Sequence, residues 1–519
     1  MRIKRGTVRA FTAALTLVLF LLFFMNHDPG ITKWVGKTLG RIQFFPALTR
    51  ALSGGISGII VLSFLVLVSL AFGRIYCAVI CPLGIFQDLV RFLARRSGRK
   101  RSAMQGRTSN GYPFLWYGVL ILTLLVLIPG SLIMVNLFDP LSIFGRFCTL
   151  LLVPAGASIN NLMVAVTETF RPYLLSPSPS HTLSWPLFML AYVWLILVTT
   201  MAFFHGRLYC NTLCPVGAFF SLFSRKALFR FSIDKTRCNG CAKCQRVCRA
   251  ACIHPSLGEI DGSRCVACFD CMDVCPEQAI QYLPHAPTSG TATRAALPHR
   301  RHFLTLVAAG GLALLLRKPA TAIVRQTVAT PLPVIPPGAL GIDHFSATCT
   351  ACLACVAVCP ERVILPGINN FGLAGIIQPG LDFNRSRCAY TCNACTQVCP
   401  SGAIVPLALG VKQRTRIGHV VFEKNQCLVY THKRDCGACA EVCPTHAVYT
   451  IKENNVHHPR LAPDACIGCG ACQQVCPVLP KAIHVVALAA HEQSGPPFFQ
   501  KQTGDLPEKV MGENDAFPF

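Results

Sequence analysis

Four cysteine blocks between residues 349 and 476 are where this sequence could do chemistry. They read Cys349-x2-Cys352-x2-Cys355-x3-Cys359-Pro, Cys388-x3-Cys392-x2-Cys395-x3-Cys399-Pro, Cys427-x8-Cys436-x2-Cys439-x3-Cys443-Pro and Cys466-x2-Cys469-x2-Cys472-x3-Cys476-Pro. Two-residue gaps let three thiolates on one tight loop face the same cubane, and the fourth, followed by Pro, ligates the neighbouring cluster. A zinc ribbon also uses CxxC knuckles, but it brings two of them to one metal and has no need of the CxxxCP tail. The spacing therefore predicts four [4Fe–4S] clusters in two ferredoxin-like modules. Such an array moves electrons.

A further pair of blocks lies upstream, Cys238-x2-Cys241-x2-Cys244-x3-Cys248 and Cys265-x2-Cys268-x2-Cys271-x3-Cys275-Pro. In this two-cluster pattern the fourth cysteines are exchanged. Cys238, Cys241, Cys244 and Cys275 are then expected on one cubane, and Cys265, Cys268, Cys271 and Cys248 on the other. Arg249 stands where Pro usually follows Cys248, which leaves the ligands intact. Six clusters thus account for 24 of the 30 cysteines. Cys148 and Cys252 fall outside every block and read as ordinary buried thiols.

The remaining four cysteines form a repeat. Gly73-Arg74-Ile75-Tyr76-Cys77-x3-Cys81-Pro82-x-Gly84 matches Gly206-Arg207-Leu208-Tyr209-Cys210-x3-Cys214-Pro215-x-Gly217. Two equivalent hairpins packed about a pseudo-two-fold axis are expected, with the thiols of each pair on one helix face at a membrane boundary. Cys77, Cys81, Cys210 and Cys214 could bind an extra metal centre. Equally, they could be small residues at a helix contact or redox-active thiol pairs. The Arg and Tyr before each pair either anchor an interface or line a quinone headgroup site.

These motifs need a scaffold of two kinds. The chain is 52% hydrophobic, and apolar runs at Phe11–Met25, Gly54–Phe72, Tyr112–Ile128 and Leu183–Phe204 are long enough to be read as membrane spans. No small-residue cleavage site follows the first run, so it reads as a retained span rather than a signal peptide. Residues 91–107 hold seven Arg or Lys and no acid, which keeps that loop and the N-terminus in the cytoplasm. Leu132–Ala157 is apolar but interrupted at Asp139-Pro140 and Pro154, and reads as interfacial or re-entrant. The formal charge of +25 is offset by clusters that each carry roughly −2 with their thiolates. It does not call for a nucleic-acid partner. Short strands at 401–405 and 447–451 suit ferredoxin modules.

Residues 283–298 read as a linker, and His299-Arg300-Arg301-His302-Phe303-Leu304 then opens an apolar run to Leu316. Paired arginines before a weakly hydrophobic run form a twin-arginine export signal, a route that carries folded cargo. The alternative is a basic linker with a buried helix. Ala320-x-Ala322 offers a cleavage site, or the segment stays as an anchor. A proline-rich spacer, Pro331 to Pro337, precedes the four-cluster region.

Residues 1–280, with two Tyr-Cys-x3-Cys-Pro motifs and a two-cluster tail, resemble the NapH/MauN family. Residues 299 to about 485, with a twin-arginine start and four clusters, resemble the NapG/MauM ferredoxins. The expected fold is mixed: an α-helical transmembrane bundle followed by α+β bacterial ferredoxin-like modules. The expected domains are 1–230 (membrane), 231–282 (two clusters), 283–340 (linker with signal or anchor), 341–487 (four clusters) and 488–519 (disordered tail). The resemblance implies a multi-pass inner-membrane protein among lipid, with the two-cluster domain cytoplasmic and the four-cluster domain periplasmic. It also implies nested pairing in that domain, first block with fourth and second with third. Electrons would pass from the quinol pool through the clusters to a periplasmic reductase or cytochrome, as in a quinol dehydrogenase or electron-transfer subunit. A maturation factor for a partner metalloenzyme and a redox sensor are the alternatives. No nucleotide loop, haem CxxCH or catalytic acid is identifiable.

Overall fold

A helix of 21 residues, α1 (Arg5–Met25), runs between the two iron–sulfur regions. The computed structural model describes residues 5–25, 29–96, 113–168, 176–178, 184–254, 258–284, 332–368, 370–453 and 456–498. The linker, the Arg300-Arg301 signal, Ala320-x-Ala322 and residues 499–519 lie outside these. After α1 come α2 (Pro29–Val35), α3 (Phe44–Leu52), α4 (Ile56–Phe72), α5 (Ile75–Val79), α6 (Pro82–Arg96) and α7 (Pro113–Leu127). The helical half continues through α8 (Ile133–Phe138), α9 (Pro140–Phe147), α10 (Val153–Glu168), α11 (Trp185–His205), α12 (Leu208–Thr212) and α13 (Pro215–Ser224).

Three helical stretches among the described residues are long and apolar enough to cross a membrane: Gly6–Met25, Pro140–Glu168 and Trp185–His205. α4 and α7 are apolar but shorter, at 17 and 15 residues. The second long stretch overlaps Leu132–Ala157, the segment expected to be interrupted at Asp139-Pro140 and Pro154. The first interruption is present: α8 ends at Phe138 and Asp139 starts α9, its carboxylate accepting from the Ser142 N–H at 3.0 Å, with Pro140 in the first turn, where no N–H is missed. Pro154 is accommodated by a π-helical turn over Cys148–Leu152, which relieves the clash a proline makes with the preceding turn.

Each cysteine repeat is a re-entrant hairpin. The chain leaves α4 at Gly73 and α11 at Gly206, whose φ of 78° and 70° turn it back at once. Five-residue helices α5 and α12 then carry Cys77 and Cys210 inward. Cys81 and Cys214 precede proline and sit at the break before the next helix; Cys214 has the extended backbone that proline imposes on its predecessor. The thiols of a pair therefore do not share one helix face as expected, and all four are buried.

The iron–sulfur regions are built from small antiparallel pairs. β1 (Phe229–Ile233) pairs with β4 (Ile280–Pro284), enclosing the β2 (Ile253–His254) and β3 (Glu259–Ile260) pair. Downstream, β5 (Ile364–Pro366) pairs with β6 (Pro379–Leu381), and β8 (Val448–Glu453) with β9 (Val456–Leu461). β7 (Thr415–Phe422) pairs with β10 (Ile483–Gln493). Residues 401–405 are not the strand expected: Gly402 takes a φ of 81°, and Val405 N–H donates to Gly338 O at 2.8 Å. The tail also begins later than 488. β10 resumes pairing after a register shift between Ala487 and Glu492 and continues to Gln493 opposite Thr415, and Phe498 stacks on Tyr449 at 4.8 Å.

The two iron–sulfur regions meet opposite ends of α1. At its start the Gly6 N–H donates to Asp273 in the two-cluster region at 3.2 Å. At its end Phe20, Phe23 and Phe24 join one core with Val358, Ile404 and Phe345 of the four-cluster region. Fourteen to 18 residues at helical rise separate these contacts by about 21–27 Å. The four-cluster region also seats on α3 and α9, where Thr49 Oγ1 donates to Ser401 O at 3.4 Å and Ser142 Oγ to Thr350 O at 2.6 Å.

The repeats pack so closely that their glycines leave no room for a methyl group. A Cβ on Gly84 would lie 2.6 Å from Cys77 O, and one on Gly217 would fall on Cys210 O. Gly84→Ala and Gly217→Ala should each destabilise the chain by about 1–3 kcal/mol through overpacking. Gly118→Ala, where nothing lies within 4 Å, should be neutral. Thermal unfolding in detergent checks this; equal midpoints for all three would contradict the packing.

Candidate iron–sulfur sites

Four of the six blocks share a local device. Directly after the second cysteine, Ala242, Phe269, Leu353 and Gly470 take left-handed backbone, with φ of 54°, 63°, 62° and 78°, and a short helix carrying the third cysteine follows; Asn393 and Gly437, at the same place in the other two blocks, keep negative φ. For the three non-glycines this conformation costs about 1–2 kcal/mol each. The loop accepts that strain to bring its thiols around one centre. Nothing in residue type announces it.

Three hollows of similar size show which thiols converge. One of about 20 Å³ is ringed by Cys238, Cys241, Cys244 and Cys275. A second of about 30 Å³ is ringed by Cys427, Cys436, Cys439 and Cys476. A third of about 20 Å³ gathers Cys388, Cys392, Cys395 and Cys359. In each, three cysteines come from one block and the fourth from its neighbour. Electrostatic proximity completes the other sets: Cys268 and Cys271 lie by Cys265 and Cys248, Cys349, Cys352 and Cys355 by Cys399, and Cys466, Cys469 and Cys472 by Cys443.

Adjacent blocks are therefore paired, first with second and third with fourth. This overturns the nested pairing drawn from resemblance. Each pair closes around its own hairpin, β5–β6 or β8–β9, so partners near in sequence are nearest in space. The two pairs meet where Cys388 N–H donates to Cys469 O at 2.9 Å.

These sites fit a cubane better than a bare ion. No three His, Cys, Asp or Glu side chains among the described residues close to single-ion spacing, whereas a cubane spreads its thiolates over four irons. Burial pushes the Cys268, Cys439 and Cys469 thiols each up to about 12. Metal-free, they would keep their protons at neutral pH. Cluster binding releases those protons, so acid favours cluster loss.

Two neighbours of the sites were not legible in sequence. Lys412 is buried, and its ammonium donates to Ala389 O beside Cys388. Cys252 is buried as expected but is not remote: its sulfur lies 3.5 Å from that of Cys248, whose thiol it holds below the ordinary range by hydrogen bonding. Cys148 is fully buried in the core between the two halves.

The membrane-motif cysteines form a separate group. Cys77, Cys81, Cys210 and Cys214 are free thiols, all buried, and within electrostatic reach of one another. The repeats hold each other crosswise. Arg207 Nη1 donates to Cys77 O at 2.5 Å, and Arg74 Nη2 to Cys210 O at 3.2 Å. Tyr76 donates to Gln43 Oε1 at 2.7 Å and Tyr209 to Phe138 O at 2.7 Å. These four side chains are taken up by protein partners, which favours the anchoring reading over a quinone headgroup site.

Comparison with known proteins agrees with this division. A family described as a 4Fe-4S binding domain matches residues 55–100 and 187–235, and one described as a 4Fe-4S dicluster domain matches 348–403 and 434–479. The dicluster matches coincide with the adjacent pairing. The chain is 27% identical over 196 residues to the ferredoxin-type protein NapH of Haemophilus influenzae, covering 38% of this chain and 53% of that one. It is 28% identical over 177 residues to the methylamine utilization ferredoxin-type protein MauN of Paracoccus denitrificans, covering 34% and 48%. It is also 27% identical over 213 residues to an uncharacterized protein of Methanocaldococcus jannaschii, covering 40% and 71%. The chain thus spans about half the length of the NapH and MauN relatives it matches. No solved structure matches it.

Adjacent pairing has a direct test. Cys399→Ser should damage the centre otherwise held by Cys349, Cys352 and Cys355, and Cys476→Ser the one held by Cys427, Cys436 and Cys439. Cys359→Ser and Cys443→Ser should damage the converse sets. Electron paramagnetic resonance of each variant, compared with loss of the first cysteine of each block, makes the assignment; nested pairing would couple Cys476 to the first block instead.

Proposed function

We infer that this NapH/MauN-like polyferredoxin carries electrons from the quinol pool to a redox partner outside the inner membrane, with its second half acting as a fused NapG/MauM-like ferredoxin. The observation that carries this reading is the seating of the two iron–sulfur regions toward opposite ends of α1, about 21–27 Å apart along a helix about 30 Å long. α1 and the Pro140–Glu168 and Trp185–His205 helices supply the membrane crossing. A cytoplasmic two-cluster domain is supported by the basic end of α6, where Arg91 Nη2 donates to Cys248 O at 2.7 Å and Arg95 Nη2 to Val247 O at 2.9 Å. The four-cluster domain is then periplasmic, and Arg300-Arg301 is its export signal.

Bound clusters supply one-electron chemistry, which suits a quinol that gives up two electrons and two protons. The chain's part is to order and bury the ligand sets. The set completed by Cys399 faces the helical half, the set completed by Cys359 touches the one completed by Cys443, and the set completed by Cys476 lies furthest out. That outermost set is where a reductase or cytochrome would dock. Quinol is assigned to a cleft of about 630 Å³ between α2 and the four-cluster domain, lined by Thr32, Lys33, Cys392, Asn393 and Gln397. Its membrane-side wall, α2, exposes Ile31 and Trp34 as an interfacial helix does.

The sidedness is tested by replacing Arg300 and Arg301 with Lys, which preserves charge. Wild-type spheroplasts should expose the four-cluster domain to protease. The double variant should protect it, still loaded with clusters, and lose quinol-dependent reduction of an external acceptor. Protection in the wild type, or exposure in the variant, contradicts the reading.

A further inference from the structure

We propose that Cys77, Cys81, Cys210 and Cys214 hold one shared iron–sulfur centre in the helical core, linking the two-cluster and four-cluster domains electronically. Each segment matched as a 4Fe-4S binding domain contains only two cysteines, and a cluster takes four thiolates. Neither repeat can hold one alone. The crossed arginines bring the two pairs into one buried group, with exposures of 3–4%.

Hydrogen-bond donors are already aimed at the sulfurs. Gln87 Nε2 donates to Cys210 Sγ at 3.2 Å and the Gly217 N–H to Cys214 Sγ at 3.3 Å, and the Gly84 N–H does the same for Cys81. Such donors stabilise sulfur that carries charge. Thiols serving only as small packing residues would not need them.

A second observation points to an anion. Arg74 is fully buried, and its hydrogen bonds go to neutral groups: Asn211 Oδ1 at 2.9 Å, Cys210 O at 3.2 Å and Ser263 O at 3.3 Å. Its Nε has no partner, and no carboxylate pairs with it among the described residues. Its symmetry mate Arg207 has Asp88 at 2.8 Å. A buried guanidinium without counter-charge is costly. A thiolate-ligated cluster beside Cys210 would supply that charge.

The place of the group gives it a role. Toward the cytoplasmic end, Arg74 and Asn211 bond Ser263 O and Ala250 O, next to the set completed by Cys248. Toward the other end, Tyr209 donates to Phe138 O, and the adjoining Asp139–Ser142 cap bonds Thr350 O, two residues from Cys352. An electron supplied at the two-cluster domain by a one-electron donor can therefore cross within the chain. Each step oxidises one centre and reduces the next, with no proton transferred. The crossing role rests on the sidedness proposed above; the site itself does not.

Iron and acid-labile sulfide in the anaerobically purified full chain test the site. Six cubanes give about 24 of each, and the shared centre raises this to about 26 for a two-iron or 28 for a four-iron cluster. Cys81→Ala/Cys214→Ala should return to about 24 with the ferredoxin signals intact. Wild-type content of 24 overturns the proposal whether or not the variant folds. The link is tested in sealed vesicles with dithionite on one side. Wild type should become reduced in both domains, the variant only in the domain that added protease can cut. A variant still reduced in its protected domain overturns the link. Protease cutting both domains from one side would instead refute the sidedness.

Discussion

The carboxylate of Asp88 is the point on which the arrangement turns. Buried on α6, it meets Arg9 of α1 at 2.9 Å, Arg207 before α12 at 2.8 Å and Arg249 of the two-cluster domain at 2.7 Å. Arg249 continues to Asp270 at 2.6 Å. One charge thereby ties the first helix, one cysteine repeat and a ferredoxin loop together. Removing one member of a buried ion pair leaves its partners uncompensated, which costs about 3–5 kcal/mol in comparable settings. Here Arg9 and Arg207 would both lose their carboxylate, and Arg249 would keep only Asp270.

That clamp also explains Arg249, the residue standing where Pro usually follows the fourth cysteine. Proline there would end the contact with Asp88 and Asp270. The ferredoxin ligands tolerate the exchange because Cys248 is held from its carbonyl by Arg91 and from its sulfur by Cys252. Rigidity matters to an electron carrier, since transfer between centres falls off steeply with distance.

The cysteine spacing made the ligands legible because a cubane imposes a fixed pattern on the chain. The exchange within the first ferredoxin pair was legible for the same reason. Block partners downstream were not, since four similar blocks permit several pairings and only hairpin closure selects one. The helical half was legible where apolar runs are long, as at Phe11–Met25. The break at Asp139-Pro140 was legible too, but Pro154 misled, because a π-turn absorbs it without interrupting the helix. Asp88, Gln43 and Gln87 carried no signal at all. Their importance comes from partners 33 to 123 residues away.

The two halves share one core. Phe20, Phe24 and Phe144 from the helices interdigitate with Val358, Phe345 and Ile404 of the four-cluster domain, and Cys148 is sealed between them. Neither surface is suited to lie open to water, so each half acts as the other's lid. A covalent tether makes their encounter intramolecular. Docking then needs little intrinsic affinity, and the stoichiometry of the two halves is fixed at synthesis. Fusion here works as a means of assembly, guaranteeing that every membrane half finds a ferredoxin half and that no unpaired apolar face is left behind.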